Sequence, residues 1–379
     1  MMTRTFVQRR KDVTQDELLE YNAFCQMLPG PSSTQTVMLI AYKRGGVLLS
    51  ILTLLIWMMP AVLIMSLASF LIHYMDARTI PSGLFQYVRP MSVGFIGYAA
   101  VRMMPGTVKH LATWMIMLVA LVATVFIQSP WVFPALLIGA GTVSNFSSRR
   151  IPSAATKPKP IKWVNLWLFG LLFVLAGLLS EQARIEDWRH ARAFNLFENF
   201  YRFGSIVFGG GQVLLPMMLY QFVALPVSRR QAPLLSTNEL LTGYGLVQAV
   251  PGPVFSLSAY VGGLILSNNG PAWQAAGCLI ASLAVFLPST LLLLFLFPLY
   301  QNLKGHTAVY RALEGIHAAI VGIIWASGIV LLTSIGPLSW TSAAVAAITF
   351  ALLRFTKVPA PIIVLGWLAL GWAAGSFIP

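Results

Sequence analysis

The chain has 379 residues, of which 57% are hydrophobic and only 9% charged. Soluble domains carry about 25% charged residues, so a soluble fold of this length could not cover its surface. The 25 Lys and Arg exceed the 11 Asp and Glu by 14. The basic residues sit in short loops such as Lys43-Arg44, Arg149-Arg150 and Arg229-Arg230, where membrane proteins place them for topology and lipid headgroups, so nucleic acid is not an expected partner.

Stretches 47–72, 111–127, 163–179, 273–297 and 316–332 are apolar on every side. Each approaches the ~17–25 residues that cross a bilayer as a helix, and none shows the alternation of a membrane barrel strand. The expected class is all-α: a polytopic membrane protein with about 11–12 helices. Arg4, Arg9, Arg10 and Lys11 next to Asp12, Asp16 and Glu17 lack the apolar core of a cleaved signal, so insertion is expected to use the spans themselves.

In chain order the pattern predicts a helix over 18–46, broken at Pro29-Gly30-Pro31, then helices 47–73, 88–107, 111–128 and 131–145. A polar linker, 144–162, precedes an extra span, 163–180, and a charged stretch, 181–202. Segment 203–223 is apolar and carries Phe208-Gly209-Gly210-Gly211 and Pro216. Helices 240–266 (broken at Pro251-Gly252-Pro253), 273–300, 316–335, 338–354 and 359–377 follow.

The two series are an internal repeat. Residues 17–31 and 239–253 match without a gap at Glu17/Glu239, Leu18/Leu240, Leu19/Leu241, Gln26/Gln248, Pro29/Pro251, Gly30/Gly252 and Pro31/Pro253. Ala41-Tyr42 before Gly45-Gly46 matches Ala259-Tyr260 before Gly262-Gly263, and Pro60/Pro288 and Gly94/Gly322 share an offset of 228 residues. The expected organisation is therefore an N-terminal half, 1–148, a linker with its extra span, 149–202, and a C-terminal half, 203–379. If every element spans, an odd number of spans separates equivalent elements and the halves are inverted, a common transporter plan; re-entrant Pro-Gly-Pro elements are the alternative. Aligning Phe6-Val7 with Phe222-Val223 sets Met1-Met2 on Met217-Met218. The first half is thus expected to begin after its own glycine-rich helix, through a start assigned too late or a lost span.

Two prolines around a glycine force a real break in a helix. Broken backbone survives at membrane depth only when buried in protein or lining a wet cavity. Matching breaks in two repeats point to a central substrate site. A new half-helix starts after each break, with free N–H groups and a positive dipole end, an arrangement that binds oxyanions without a cation. The candidate ligands are Pro29, Gly30, Pro31, Ser32, Ser33 and Thr34 in one half, and Pro251, Gly252, Pro253 and Ser256 in the other. Gln26 and Gln248 supply paired amides, and Phe208 with Gly209, Gly210 and Gly211 allows close backbone approach. A structural kink with capping serines is the alternative reading.

Glu17, Glu239 and Glu198 are candidates for a coupling proton, with helix capping the alternative for each. Arg44, with Lys43 and Arg102, is a candidate anion vestibule or a topology anchor. Cys25 and Cys278 form no disulfide or metal framework. His73, His110, His190, His306 and His317 show no ligand spacing, so no metal, cofactor or catalytic residue is assigned. A membrane enzyme on a lipid-linked anion would need clustered acids or histidines, which these scattered residues do not supply.

The run Cys25-Gln26-Met27-Leu28-Pro29-Gly30-Pro31, followed by Ser-Ser-Thr-Gln and Tyr42-Lys43-Arg44-Gly45-Gly46, resembles the signature of the chromate ion transporter family. Phe208-Gly209-Gly210-Gly211 and Val247-Gln248-Ala249-Val250-Pro251-Gly252-Pro253 resemble its second-half motifs, and Phe6-Val7-Gln8-Arg9-Arg10 resembles the segment after the family's first Phe-Gly-Gly helix, which this chain lacks. The resemblance implies a secondary transporter in the cytoplasmic membrane that expels chromate, a sulfate analogue, using the electrochemical gradient. Its expected partners are the bilayer and the oxyanion, and a homodimer is compatible with the sequence.

Overall fold

The computed structural model describes residues 2–74, 83–127, 131–146, 164–208, 210–299, 307–334 and 339–377. Gly209 and most of the linker 144–162 lie outside them. The described residues contain helices and no strand. A π-helical turn, Thr3–Arg9, precedes α1 (Gln15–Gln26), α2 (Ser32–Tyr74), α3 (Val88–Thr107), α4 (Leu111–Phe126) and α5 (Val132–Asn145). Next come α6 (Val164–Ile185), α7 (Ala191–Ile206), α8 (Leu214–Ser228), α9 (Thr237–Val247) and α10 (Leu257–Leu266). The chain closes with α11 (Pro271–Leu296), α12 (Thr307–Ser334), α13 (Trp340–Phe355) and α14 (Ala360–Phe377).

The repeat reappears as local geometry. Thr14 and Ser236 cap α1 and α9 through reciprocal bonds with Glu17 and Glu239. The Thr3–Arg9 π-helix matches a second one, Tyr220–Ala224, inside α8; this is the register set by Phe6 and Phe222. Both broken helices continue past their Pro-Gly-Pro. In the first half α2 bends at Gly45-Gly46, where Gly46 has φ 67°, and runs on. In the second half the turn takes Gly270 (φ 102°), and Pro271 opens α11, the first-turn position where its missing N–H costs nothing.

One stretch differs from expectation. The charged residues 181–202 do not form a connecting segment: α6 extends to Ile185, and Ala191–Ile206 is a helix packed on α11. Leu196, Phe200, Tyr201, Phe203 and Gly204 face inward while Arg192 and Glu198 stay at the edge, so the residues form one amphipathic helix. The first-half counterpart of α11, residues 47–74, carries no such cover among the described residues and presents Leu48 (71% exposed) and Ile56 (74% exposed) outward. An apolar face of that extent is a lipid-facing surface in a membrane protein.

At the centre lies α10, with all ten residues buried. The two halves interlock around it through reciprocal contacts. Gly94 of α3 packs on α13, where a Cβ would sit 2.6 Å from the Ala346 carbonyl oxygen and 2.8 Å from Thr349. Gly322 of α12, its repeat partner, packs on α4 against the Met117 carbonyl oxygen and Ala120. Each half thus lays its fourth helix on the third helix of the other, a two-fold exchange. Close approach of this kind needs small residues, because apolar association gains little inside lipid.

Gly322→Val is expected to cost at least about 1–3 kcal/mol, since the backbone oxygen of Met117 cannot yield. Gly177→Ala, with no atom within 4 Å, is expected to stay within about 0.5 kcal/mol. Thermal unfolding of the two detergent-solubilised variants checks the contrast.

Candidate functional site

Both Pro-Gly-Pro segments interrupt their helices. Residues 27–31 separate α1 from α2, and 248–253 separate α9 from the 3-10 turn Val254–Ser256 that opens α10. The central glycines have φ +111° at Gly30 and φ +149° at Gly252, which only glycine adopts without strain. Each also lies against the other half. Gly30 abuts Ser289 of α11, and Gly252 abuts Ala61 of α2, with 2.5 Å between a Cβ there and that of Ala61. Ala61 and Ser289 directly follow Pro60 and Pro288, so the contacts are equivalent.

The glycine-rich segment joins the two breaks. The Gly30 N–H donates to the Val207 carbonyl at 2.7 Å. Four residues on, Gly211 leaves room for Val254, whose Cβ would lie 2.6 Å from one on Gly211. Gly210 takes φ +109° between them. The three sequence-predicted segments therefore meet in one place, and Phe208, half-buried, stands beside the junction.

The individual candidates differ in their surroundings. Pro29, Gly30, Pro31 and Pro253 are buried, whereas Pro251 and Gly252 are exposed. Ser33 points outward, and Ser32 supplies a carbonyl that accepts from Thr36 Oγ1 at 2.8 Å. Gln35 ties the first break together, its Nε2 donating to the Pro29 carbonyl at 2.7 Å. Gln26 is exposed on the last turn of α1, and its backbone carbonyl faces the His317 ring. Gln248 is half-buried near the Tyr244 hydroxyl, and its Nε2 has no hydrogen-bond partner.

Thr34 (1% exposed) and Ser256 (0% exposed) occupy equivalent places, four residues beyond Gly30 and Gly252. Neither hydroxyl has a hydrogen-bond partner, nor does that of Ser258. A buried polar group left unpaired costs about 1–3 kcal/mol, and such groups are rare in native proteins. Two at matching positions, each at the start of a half-helix, mark a place suited to a polar guest.

The charged candidates are engaged elsewhere. Glu17 and Glu239 are held in the capping boxes of α1 and α9. Lys43 Nζ lies 2.6 Å from Glu17 Oε1; it and the Thr14 N–H hold this carboxyl below its ordinary value. Arg44 pairs with Asp12 at 2.7 Å and lines an open cleft of about 330 Å3 with Arg10, Phe6 and Trp57. Glu198 binds Arg202 at 2.9 Å, and Arg102 is exposed, 5.9 Å from the Tyr98 ring. Sequence reasoning passed over Arg89 and took His317 as isolated. The two are 228 residues apart, the spacing of Pro60/Pro288 and Gly94/Gly322, which marks them as repeat partners but not as unpaired.

Glu17→Ala and Glu239→Ala are expected to lower stability by about 0.5–2 kcal/mol each through loss of the reciprocal half of the capping box, with the transport rate per folded molecule unchanged. Melting and flux measured on the same preparations check this; a stable variant with abolished flux would reassign the carboxylate.

The chromate transporter family matches the chain over residues 1–144 and 194–372, the second region taking in nearly all of α7. A chromate transport protein of Cupriavidus metallidurans is 22% identical, over 98% of this chain and 87% of that protein. A probable chromate transport protein of Synechococcus elongatus is 23% identical over 87% and 78% of the two chains. A chromate transport protein of Pseudomonas aeruginosa is 22% identical over 87% and 74%. No solved structure matches. With its two matched halves and its apolar spans, the chain is an integral membrane protein that belongs to the chromate transporter family.

Proposed function

We propose that this chain is a secondary transporter of a tetrahedral oxyanion, chromate first among them, which it moves outward across the cell membrane using the electrochemical gradient. The anion is held where the two Pro-Gly-Pro breaks and the glycine-rich segment meet. The observation that carries this reading is the pair of buried, unpartnered hydroxyls on Thr34 and Ser256. Such hydroxyls, in the first turn after each break, offer neutral donors that replace part of an oxyanion's hydration. Gln248 Nε2 is a further unfilled donor, and Gln26 holds the equivalent position in the first half. Membership of the family and the names of three relatives support chromate. Sulfate has the same shape and charge, and is the competing substrate.

The breaks also supply a route to alternating access. Helix ends joined through two residues flanking a glycine are free to pivot, while the α3–α12 pair holds the halves together. Repeats that rock against each other around a fixed midplane site are the common transporter solution.

Chromate accumulation is expected to fall in cells expressing the chain, and excess sulfate to compete. Gln26→Ala, Gln248→Ala, Thr34→Val and Ser256→Ala are each expected to slow flux about tenfold to a hundredfold, the value of a hydrogen bond to a charged group, at unchanged membrane abundance. Thr34→Val removes a group with nothing to bond in the empty site, so its melting temperature is expected to hold or rise. Unchanged flux in all four variants rejects the site; unchanged accumulation with the wild-type chain rejects chromate efflux.

A further inference from the structure

The site as described holds only neutral donors, yet the guest is a dianion. Arg89 is a cation nothing has yet explained. It stands in the first turn of α3, half-buried, with a buried Nε that has no partner. Among the described residues no carboxylate pairs with it. The first turn of a helix is also the end where the macrodipole disfavours a cation, and α3 has neither an acidic residue in that turn nor a side-chain cap. The Val88 N–H is bonded to the Phe85 carbonyl and Pro90 has no N–H, so the charge of this turn comes from the guanidinium, which favours an anion.

The neighbours place Arg89 beside the second break. Ser92 Oγ donates to the Leu241 carbonyl at 3.0 Å, and Val88 packs on Gly245. As α3 is read backward α9 is read forward, so Gln248, less than one turn beyond Gly245, comes level with the turn just before α3, next to the end that carries Arg89. Arg89 also lies seven residues before Ile96, hence on the same stripe of the helix to within about 20°. Ile96 faces α12, where its Cγ2 would lie 3.7 Å from a Cβ on Gly328. Arg89 therefore occupies the wedge between α9 and α12. His317, its repeat partner, faces the Gln26 carbonyl at the first break. The two halves thus bring a basic side chain to the same place beside each Pro-Gly-Pro, and only the second carries a permanent charge.

We infer that Arg89, at the N-terminal end of α3, forms with the Gln248 amide a cationic subsite that neutralises a tetrahedral oxyanion at the second break. This rests on the oxyanion reading above and gives it the charge it lacked. A planar guanidinium presents two parallel N–H donors to such an anion, which a lysine cannot. A lipid phosphate has the same chemistry, so the test must separate the two sources.

The full chain is purified in lipid-free detergent as wild type, Arg89→Gln, Arg89→Lys and Arg102→Gln, and its melting temperature is titrated with sodium chromate, sodium sulfate or phosphatidylglycerol. Both salts are expected to stabilise the wild type. Arg89→Gln is expected to weaken the apparent Kd about tenfold to a hundredfold, Arg89→Lys less, and Arg102→Gln not at all. Without anion, Arg89→Gln is expected to melt no lower than wild type, because it removes an unpaired charge; a merely structural arginine would leave it less stable. Equal titration of Arg89→Gln and wild type overturns the inference, as does a wild type that answers to neither salt. A response to phosphatidylglycerol alone assigns Arg89 to a headgroup and overturns it too. Should sulfate stabilise and chromate not, the chromate reading falls, while loss of the sulfate response in Arg89→Gln still supports the subsite.

Discussion

A helix that is broken inside a membrane must bury its open backbone in protein, and the rest of this architecture follows from that constraint. Pro-Gly-Pro twice denies the chain a continuous helix, leaving carbonyls and N–H groups without internal partners. The first break is satisfied by other parts of the molecule: Gln35 reaches back to Pro29, and Val207 accepts from Gly30. Ser289 and Ala61, each from the opposite half, close over the two glycines. The exchange of contacts between halves is thus a requirement of the breaks rather than an embellishment of the duplication.

What the structure leaves unsatisfied is as informative as what it satisfies. Most polar side chains within the spans bond to a carbonyl one turn back, as Ser92, Ser282, Thr290, Ser327 and Thr349 do. Thr34 and Ser256 do not, because each stands in the first turn of its half-helix, where the residue one turn back belongs to the break. Unpaired hydroxyls, buried at equivalent places, are available to a polar guest. Arg89 extends the pattern from neutral donors to a formal charge.

The halves are alike in backbone but unlike in side chain. Where α2 bends at Gly46 without interruption, the second half inserts a full turn at Gly270. Arg89 stands where the other half has His317, Thr36 is bonded while Ser258 is not, and α7 covers α11 while the matching face of α2 is exposed. Duplication supplies two similar breaks around one junction, and divergence makes their polar lining unequal.

Much of this was legible without coordinates. Composition alone required a membrane protein, and the recurrence of Pro-Gly-Pro, Gln26/Gln248 and Gly94/Gly322 required two related halves with two broken helices. The residues of α7 were misread as a charged stretch because Arg192, Glu198 and Arg202 outweighed, to the eye, an inward face of Leu196, Phe200 and Phe203. Arg89 was missed because its isolation is a tertiary fact: an arginine beside a proline at the start of a span reads as an anchor until its neighbours are known. Likewise Glu17 and Glu239 read equally as proton carriers and as caps, and only the backbone at Thr14 and Ser236 separates the two. Sequence by itself determined which segments must be helical, where they break and which positions repeat, since those are properties of local backbone and apolar period. Only the tertiary structure decided which breaks meet, which hydroxyls stay unpaired and which cation lacks a counter-charge, because each depends on residues far apart in the chain.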